Sequence, residues 1–204
     1  MSFFEQIGSG LSELFSLFVT VVLLQNIVLT TGFGSSVMLH TVRKPNTIWQ
    51  FSGIMAVYSV LTVAIEFPID HRFGTAITNF WRPLVIVGIV SVLYLLSVIL
   101  LRRFARELYS RIGAMLPLAA FNNMVIGMAL ISNVQMSLGF GGVIGLAIGA
   151  SLAFGLLTWV TAEGIERLDN PDMPDAFRGM PSTLLYVGLV ALALLGFKSD
   201  FSLI

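Results

Sequence analysis

The sequence predicts an all-α membrane protein: six transmembrane helices forming two inverted three-helix repeats, with the first and fourth spans broken. Composition is the first observation behind this. Of 204 residues, 56% are hydrophobic and only 11% are charged, against about 25% charged in a soluble domain. Mean hydropathy is correspondingly high, at +0.92. The second observation is that the apolar residues gather into six runs, roughly 11–30, 51–69, 83–101, 115–132, 139–162 and 180–197. Each is close to the ~20 residues a helix needs to cross hydrocarbon. Only helices and closed barrels satisfy their backbone in lipid, and these runs are far too long for barrel strands. The chain therefore reads as one integral membrane domain over residues 1–204, with repeats at approximately 11–101 and 115–197.

Span one opens without a positively charged stretch before it, so it does not read as a cleaved signal peptide. Its second half, "LLQNIVLTTGFGSS" at Leu23–Ser36, sets Gln25, Asn26, two threonines, two glycines and two serines where hydrocarbon should be. Span two ends in "EFPIDHRFG", where Glu66 stands just before Pro68 and Asp70. An intramembrane carboxylate is a functional suspect, but this one is expected to snorkel to the outer interface. Span three is uninterrupted and is followed by the basic stretch "RRFARELYSRIGA". Span four repeats the anomaly of span one, with Asn122 and Asn123 in "PLAAFNNMVIGMALIS". Span five begins "GFGGVIG", which has the look of a dinucleotide loop but follows no strand. Gly141, Gly145 and Gly149 at four-residue spacing read better as a small-residue face for close packing, against a related partner protein. Span six follows the acidic connector Glu163–Asp175, which has two prolines and no EF-hand spacing. Trp49, Trp81 and Trp159 lie near span ends, where amphipathic rings favour the interface.

Charge sets the orientation and removes several functions. Loops one, three and five hold Arg43, Lys44, Arg102, Arg103, Arg106, Arg111, Arg167 and Arg178, while the other side has Arg72, Arg82 and Lys198. Eight against three predicts those loops in the cytoplasm and both termini outside, in an inner (plasma) membrane. Net charge is zero, with 11 basic and 11 acidic residues, so no basic field recruits nucleic acid. There is no cysteine, which excludes disulfides, zinc fingers and thiolate-held clusters within the chain. His40 and His71 fall in loops on opposite faces and read as two solvated histidines rather than one metal site. No Ser/His/Asp or Cys/His set is present, and no connection is long enough for a catalytic module.

The repeat is suggested by two echoes. "QNIVL" at Gln25–Leu29 matches "NNMVI" at Asn122–Ile126, placing Asn26 against Asn123, and "EFPIDHRFG" faintly matches "DMPDAFRG". Three spans per half is an odd number, so two such halves enter the membrane in opposite directions. The broken helices then meet near the midplane and build a site. A plainer account is that the Asn, Thr and Ser side chains only hydrogen-bond between packed helices.

The stretches "NIVLTTGFGSS", "RRFARELYSRIGAMLPLAAFNNMVIGMALI" and "IERLDNPDMPDAFRGMPSTLLYVGLVALALLGF" resemble the small integral subunits of Rnf and Nqr electron-transport complexes, most nearly the type called A in Rnf and E in Nqr. The resemblance spans nearly the whole chain and implies six helices, an outside N-terminus and an inverted repeat. It also implies a site, in which spans one and four each present a cysteine near the midplane. A homologous six-helix partner inserted the other way presents two more, and the four hold an iron–sulfur centre. Here the family pattern "FLGxC" lies over "GFGSS", so the ligand position falls on Ser36, beside Gly34 and Ser35. The pattern "LPLxxxNC" lies over "LPLAAFNN", so the other falls on Asn123, preceded by Asn122. Serine and asparagine do not replace the thiolates of such a cluster. The resemblance thus carries over architecture but not the cofactor.

Three functions remain open on these grounds. The chain is expected to be a membrane subunit of a redox-driven, ion-translocating complex, with iron–sulfur and flavin cofactors on partners and none of its own. The alternatives are a cluster-less transporter or channel-like protein, and a scaffold for a homologous partner.

Overall fold

A computed structural model describes residues 8, 10–12, 15–16, 37–38, 41–42, 45–73, 81–134, 139–168, 174, 177 and 179–198. A short 3₁₀ turn, Pro45–Thr47, leads into α1, Ile48–Phe73. α2 covers Arg82–Phe104 and α3 covers Arg106–Ile112. α4, Leu116–Ala120, and α5, Asn123–Val134, follow; then come α6, Phe140–Leu168, and α7, Met180–Lys198. The described elements are all helical, as expected. α1, α2 and α6 are long and apolar enough to cross a membrane, and the bent unit formed by α3 with α4–α5 would make a fourth. The apolar part of α7, Met180–Ala193, is shorter than a span. The first expected span, 11–30, lies almost wholly outside the described residues.

α1 is the hub. It packs most extensively on α6, and also on α5, α2 and α4. Phe51 meets Phe154 with ring centroids 5.8 Å apart, Ser52 Oγ donates to the Ser151 carbonyl at 2.7 Å, and Phe67 meets Phe140 at 5.4 Å. Rising numbers on one helix meet falling numbers on the other, so α1 and α6 are antiparallel. α2 is antiparallel to α1 too. Arg82 at its start pairs with Asp70 at 2.6 Å, and Tyr58 bonds Ser97 near its other end at 2.5 Å. Ser97 donates to the Tyr94 carbonyl, which leaves the Tyr58 hydroxyl as donor in the pair.

The helices differ in what surrounds them. Of the most apolar window of α2, 11% is buried, whereas 67% of that of α6 is. α6 can sit centrally because it presents small residues. Gly142, Gly145, Ala147, Gly149 and Ala150 are all buried within this chain. That corrects the expectation of a glycine face set aside for a partner. Close packing is indeed its use, but the packing is internal. Gly164 shows the same need against α7, since the Tyr186 ring occupies the place of its missing Cβ.

One corner differs from expectation, and a second is set by a glycine. The basic stretch after span three is not a simple loop, because all of it but Ala105, Gly113 and Ala114 is helical. Ala105, at φ −140° and ψ 62°, turns the chain between α2 and α3. Arg102 holds that corner, donating to the Tyr109 hydroxyl at 2.7 Å with its guanidinium 4.8 Å from the ring centroid. α3 then stands at 68° to the Leu116–Ile131 segment. At the end of α7's connector, Gly179 adopts φ +80°, a conformation open to glycine at no steric cost. Its carbonyl accepts from the Ser182 and Thr183 hydroxyls and so starts α7.

Candidate functional site

The stretch expected as span four is interrupted between Ala120 and Asn123, and its residues explain the interruption. Pro117 lies in the first turn of α4, where a missing N–H costs nothing. Phe121, at φ −88° and ψ 28°, ends α4 with its amide on the Pro117 carbonyl. Asn122 then starts α5 as a cap. Its Oδ1 accepts from the Met124 amide at 3.1 Å, and its own carbonyl takes the Ile126 amide at 3.3 Å. This is the hydrogen bonding for which Asn is favoured at helix starts. Its Nδ2 donates to the Met55 sulfur of α1 at 3.5 Å, and the residue is 2% exposed. Both ends of the amide are therefore committed. Asn123, the residue under the family's ligand position, is the first residue of α5 and is exposed.

Asn26, Gly34, Ser35 and Ser36 lie outside the described residues, so the approach of Ser36 to Asn123 rests on their neighbours. Met38, two positions beyond Ser36, is buried in the same core cluster as Ala119, Ala120 and Met124. The donor set does not suit a thiolate-held cluster. The chain has no cysteine, the Asn122 amide is occupied by Met124 and Met55, and among the described residues no three His, Cys, Asp or Glu side chains converge. His71, far from this elbow at the end of α1, stacks on Phe67.

A second polar locus was only half visible in the sequence. Glu66 does not snorkel outward. It is 4% exposed, because α1 continues through Pro68 to Phe73 and keeps the carboxylate inside the bundle. Asp70 and Arg82 lie within its electrostatic reach. Ser59 and Thr62, both 0% exposed, precede it on α1 with hydroxyls that have no hydrogen-bond partner. Positions 59, 62, 66 and 70 recur at helical spacing and fall on one face. That spacing was the available signal. Against an apolar background it is easily taken for isolated packing hydroxyls.

Comparison with known proteins covers most of the chain. The profile of the Rnf-Nqr family, described as an Rnf-Nqr subunit and membrane protein, matches residues 14–199. The A-type subunit of the ion-translocating oxidoreductase complex of Pasteurella multocida is 32% identical over 190 residues, 92% of this chain and 97% of that protein. The A-type subunit of the Na+-translocating ferredoxin:NAD+ oxidoreductase complex of Acetobacterium woodii is 32% identical over 71% of this chain and 73% of its own length. The E-type subunit of the Na+-translocating NADH-quinone reductase of Pseudoalteromonas translucida is 27% identical over 90% of this chain and 96% of its own.

Proposed function

This chain belongs to the Rnf-Nqr family of membrane subunits, and from that premise we propose that it is an integral component of a redox-driven, ion-translocating electron-transport complex whose redox cofactors reside on its partners. The carrying observation is the match across residues 14–199, which leaves almost nothing of the chain outside the family's pattern. In this reading the protein has six spans in two inverted halves, about 11–101 and 115–197, and both termini lie outside the inner membrane. α1 and α6 are the middle helices of those halves, and their antiparallel packing is what opposite insertion of two repeats requires.

The broken first and fourth spans form two elbows meeting near the midplane, at Ser36 and Asn123. Burial of Met38 with Ala119, Ala120 and Met124 supports their proximity. Freed backbone groups need partners in a water-poor setting. Asn122 supplies them at the second elbow, and Asn26, Ser35 and Ser36 are suited to do so at the first, around Gly34. No electron step is assigned to these positions, because their side chains do not hold a cluster. A homologous six-helix protein, inserted oppositely, is the expected neighbour.

Purification from a mild detergent, with identification of co-purifying proteins and assays for iron and flavin, tests this reading. The expected result is a complex containing a related six-helix protein and flavin-bearing partners. A chain that purifies alone from its native membrane would overturn it.

A further inference from the structure

We infer that the corner between α2 and α3 is a docking surface for an anionic phospholipid, with Arg103, Arg106 and Arg111 for its phosphate and Phe104 and Leu108 for its acyl chains. The four arginines of this stretch, Arg102, Arg103, Arg106 and Arg111, are all exposed. Arg82 pairs with Asp70 and Arg167 with Glu163, but among the described residues no carboxylate pairs with any of these four. Glu107 is the one acidic residue between Arg102 and Arg111, so four positive charges stand against one negative. A surface with that excess attracts an anion, and guanidinium forks match phosphate oxygens.

The charges are mounted on a fixed element. Tyr109 and Ile112 pack α3 against the buried core. Arg102 is engaged with the Tyr109 hydroxyl and ring, so its part is to hold the corner. Arg106 Nε donates to the Arg102 carbonyl at 3.3 Å, which ties that side chain to the same corner. The Arg103 guanidinium lies 5.9 Å from the Phe104 ring centroid, so charge and apolar ring are immediate neighbours.

Charge alone would suit any anion, and the apolar side chains beside it select a lipid. Phe104 is 77% exposed, and Ile99, Leu100 and Leu108 are exposed around it. An acidic soluble protein would neutralise the guanidiniums but has no use for apolar side chains on the end of a span. A phospholipid covers both, with its phosphate among the arginines and its chains along the end of α2. The level fits as well. α2 and α6 both run antiparallel to α1, so Trp49 at the start of α1 and Trp159 late in α6 lie toward the same end as this corner. Both tryptophans are half exposed, as rings at a membrane interface are. α3 stands at 68° to the Leu116–Ile131 segment, so it turns aside from the spans and lies closer to the membrane plane.

The surface requires only that the chain spans a membrane, so its failure leaves the electron-transport reading untouched. The purified protein, with whatever partners accompany it, is titrated in detergent with phosphatidylglycerol or with phosphatidylcholine of the same chains. Native mass spectrometry reads the lipid retained. Wild type is expected to hold phosphatidylglycerol more tightly, and less so as ionic strength rises. Combining Arg103→Gln, Arg106→Gln and Arg111→Gln should weaken that binding about fivefold or more, from the attraction of each arginine to anionic lipid. Phe104→Ala should weaken both lipids. Glycerol phosphate, a headgroup without chains, should not displace the lipid at equal concentration. Arg167→Gln is the control. It removes an exposed arginine at the same end that already has Glu163, and should change nothing. If the triple variant does not purify folded, Arg103→Gln and Arg111→Gln are measured singly, and each should lose part of the binding. Phosphatidylglycerol binding unchanged by these substitutions overturns the surface, as does equal weakening by Arg167→Gln or displacement by glycerol phosphate. Loss of a co-purifying protein with lipid binding intact overturns it too, and assigns the arginines to an acidic partner.

Discussion

Asn122 shows how one side chain can hold a break open inside a bundle. Its amide caps α5 and ties it to Met55 of α1, so both functions are lost together on truncation. Removing an Asn cap costs about 1 kcal/mol, and a membrane domain of this size should lose roughly 2–4 °C of thermal midpoint for it. Asn122→Ala is therefore expected to melt measurably lower than wild type in detergent. Asn123→Ala, at the exposed neighbour, should lose less than Asn122→Ala does. Equal losses in both would show that the cap is not what stabilises the elbow. The pair was legible in the sequence as "NN", but which Asn turns inward was not. That depends on the dihedral angles of Phe121, which no spacing rule specifies.

At the scale of elements, helix positions were the readable part. Apolar runs 51–69, 83–101, 115–132, 139–162 and 180–197 all fall on helices of the structure, because lipid leaves the backbone no other option. What each helix faces was not readable. A glycine stripe reports that something approaches closely, and is silent on whether that is another chain or the next helix of the same one. α6 resolves it, since Gly145 and Gly149 are buried within the chain. Gly145→Leu should thus reduce recovery of folded protein itself, by the 1–3 kcal/mol typical of overpacking, before it affects any assembly. A size-exclusion profile of the variant shows whether the monomer or only the complex is lost. The elbows allow a direct test as well. With no native cysteine in the chain, Ser36→Cys combined with Asn123→Cys should be joined by a short bismaleimide, given helix packing distances of about 8–10 Å. No cross-link across the two positions would separate the elbows.

For the whole molecule, the charge bias predicts which faces meet the cytoplasm. Ser110 on α3 is exposed and lies among Arg102, Arg103, Arg106 and Arg111 in the sequence. A single Ser110→Cys should resist an impermeant maleimide added to intact cells and react after the membrane is opened. Labelling from outside would invert the topology. Glu66 also marks the limit of reading function from sequence. Its burial depends on what packs around α1, and the sequence around it, with Pro68 and Asp70 adjacent, resembles an ordinary span end.

The order of helices along the chain turns the burial of α6 into a question of timing. α1 emerges early with Ser52, Ser59, Thr62 and Glu66 along it, yet the helix that packs most extensively against it begins only at Phe140. Translation at roughly 5–20 residues per second puts several seconds between the two. Early in that interval α1 has α2 for company, joined through Tyr58–Ser97 and Asp70–Arg82, and α4 and α5 follow. The nascent hairpin must therefore keep a half-dressed polar flank out of the acyl chains, and its two interhelix clasps, one toward each end, are the first restraints that biosynthesis makes available.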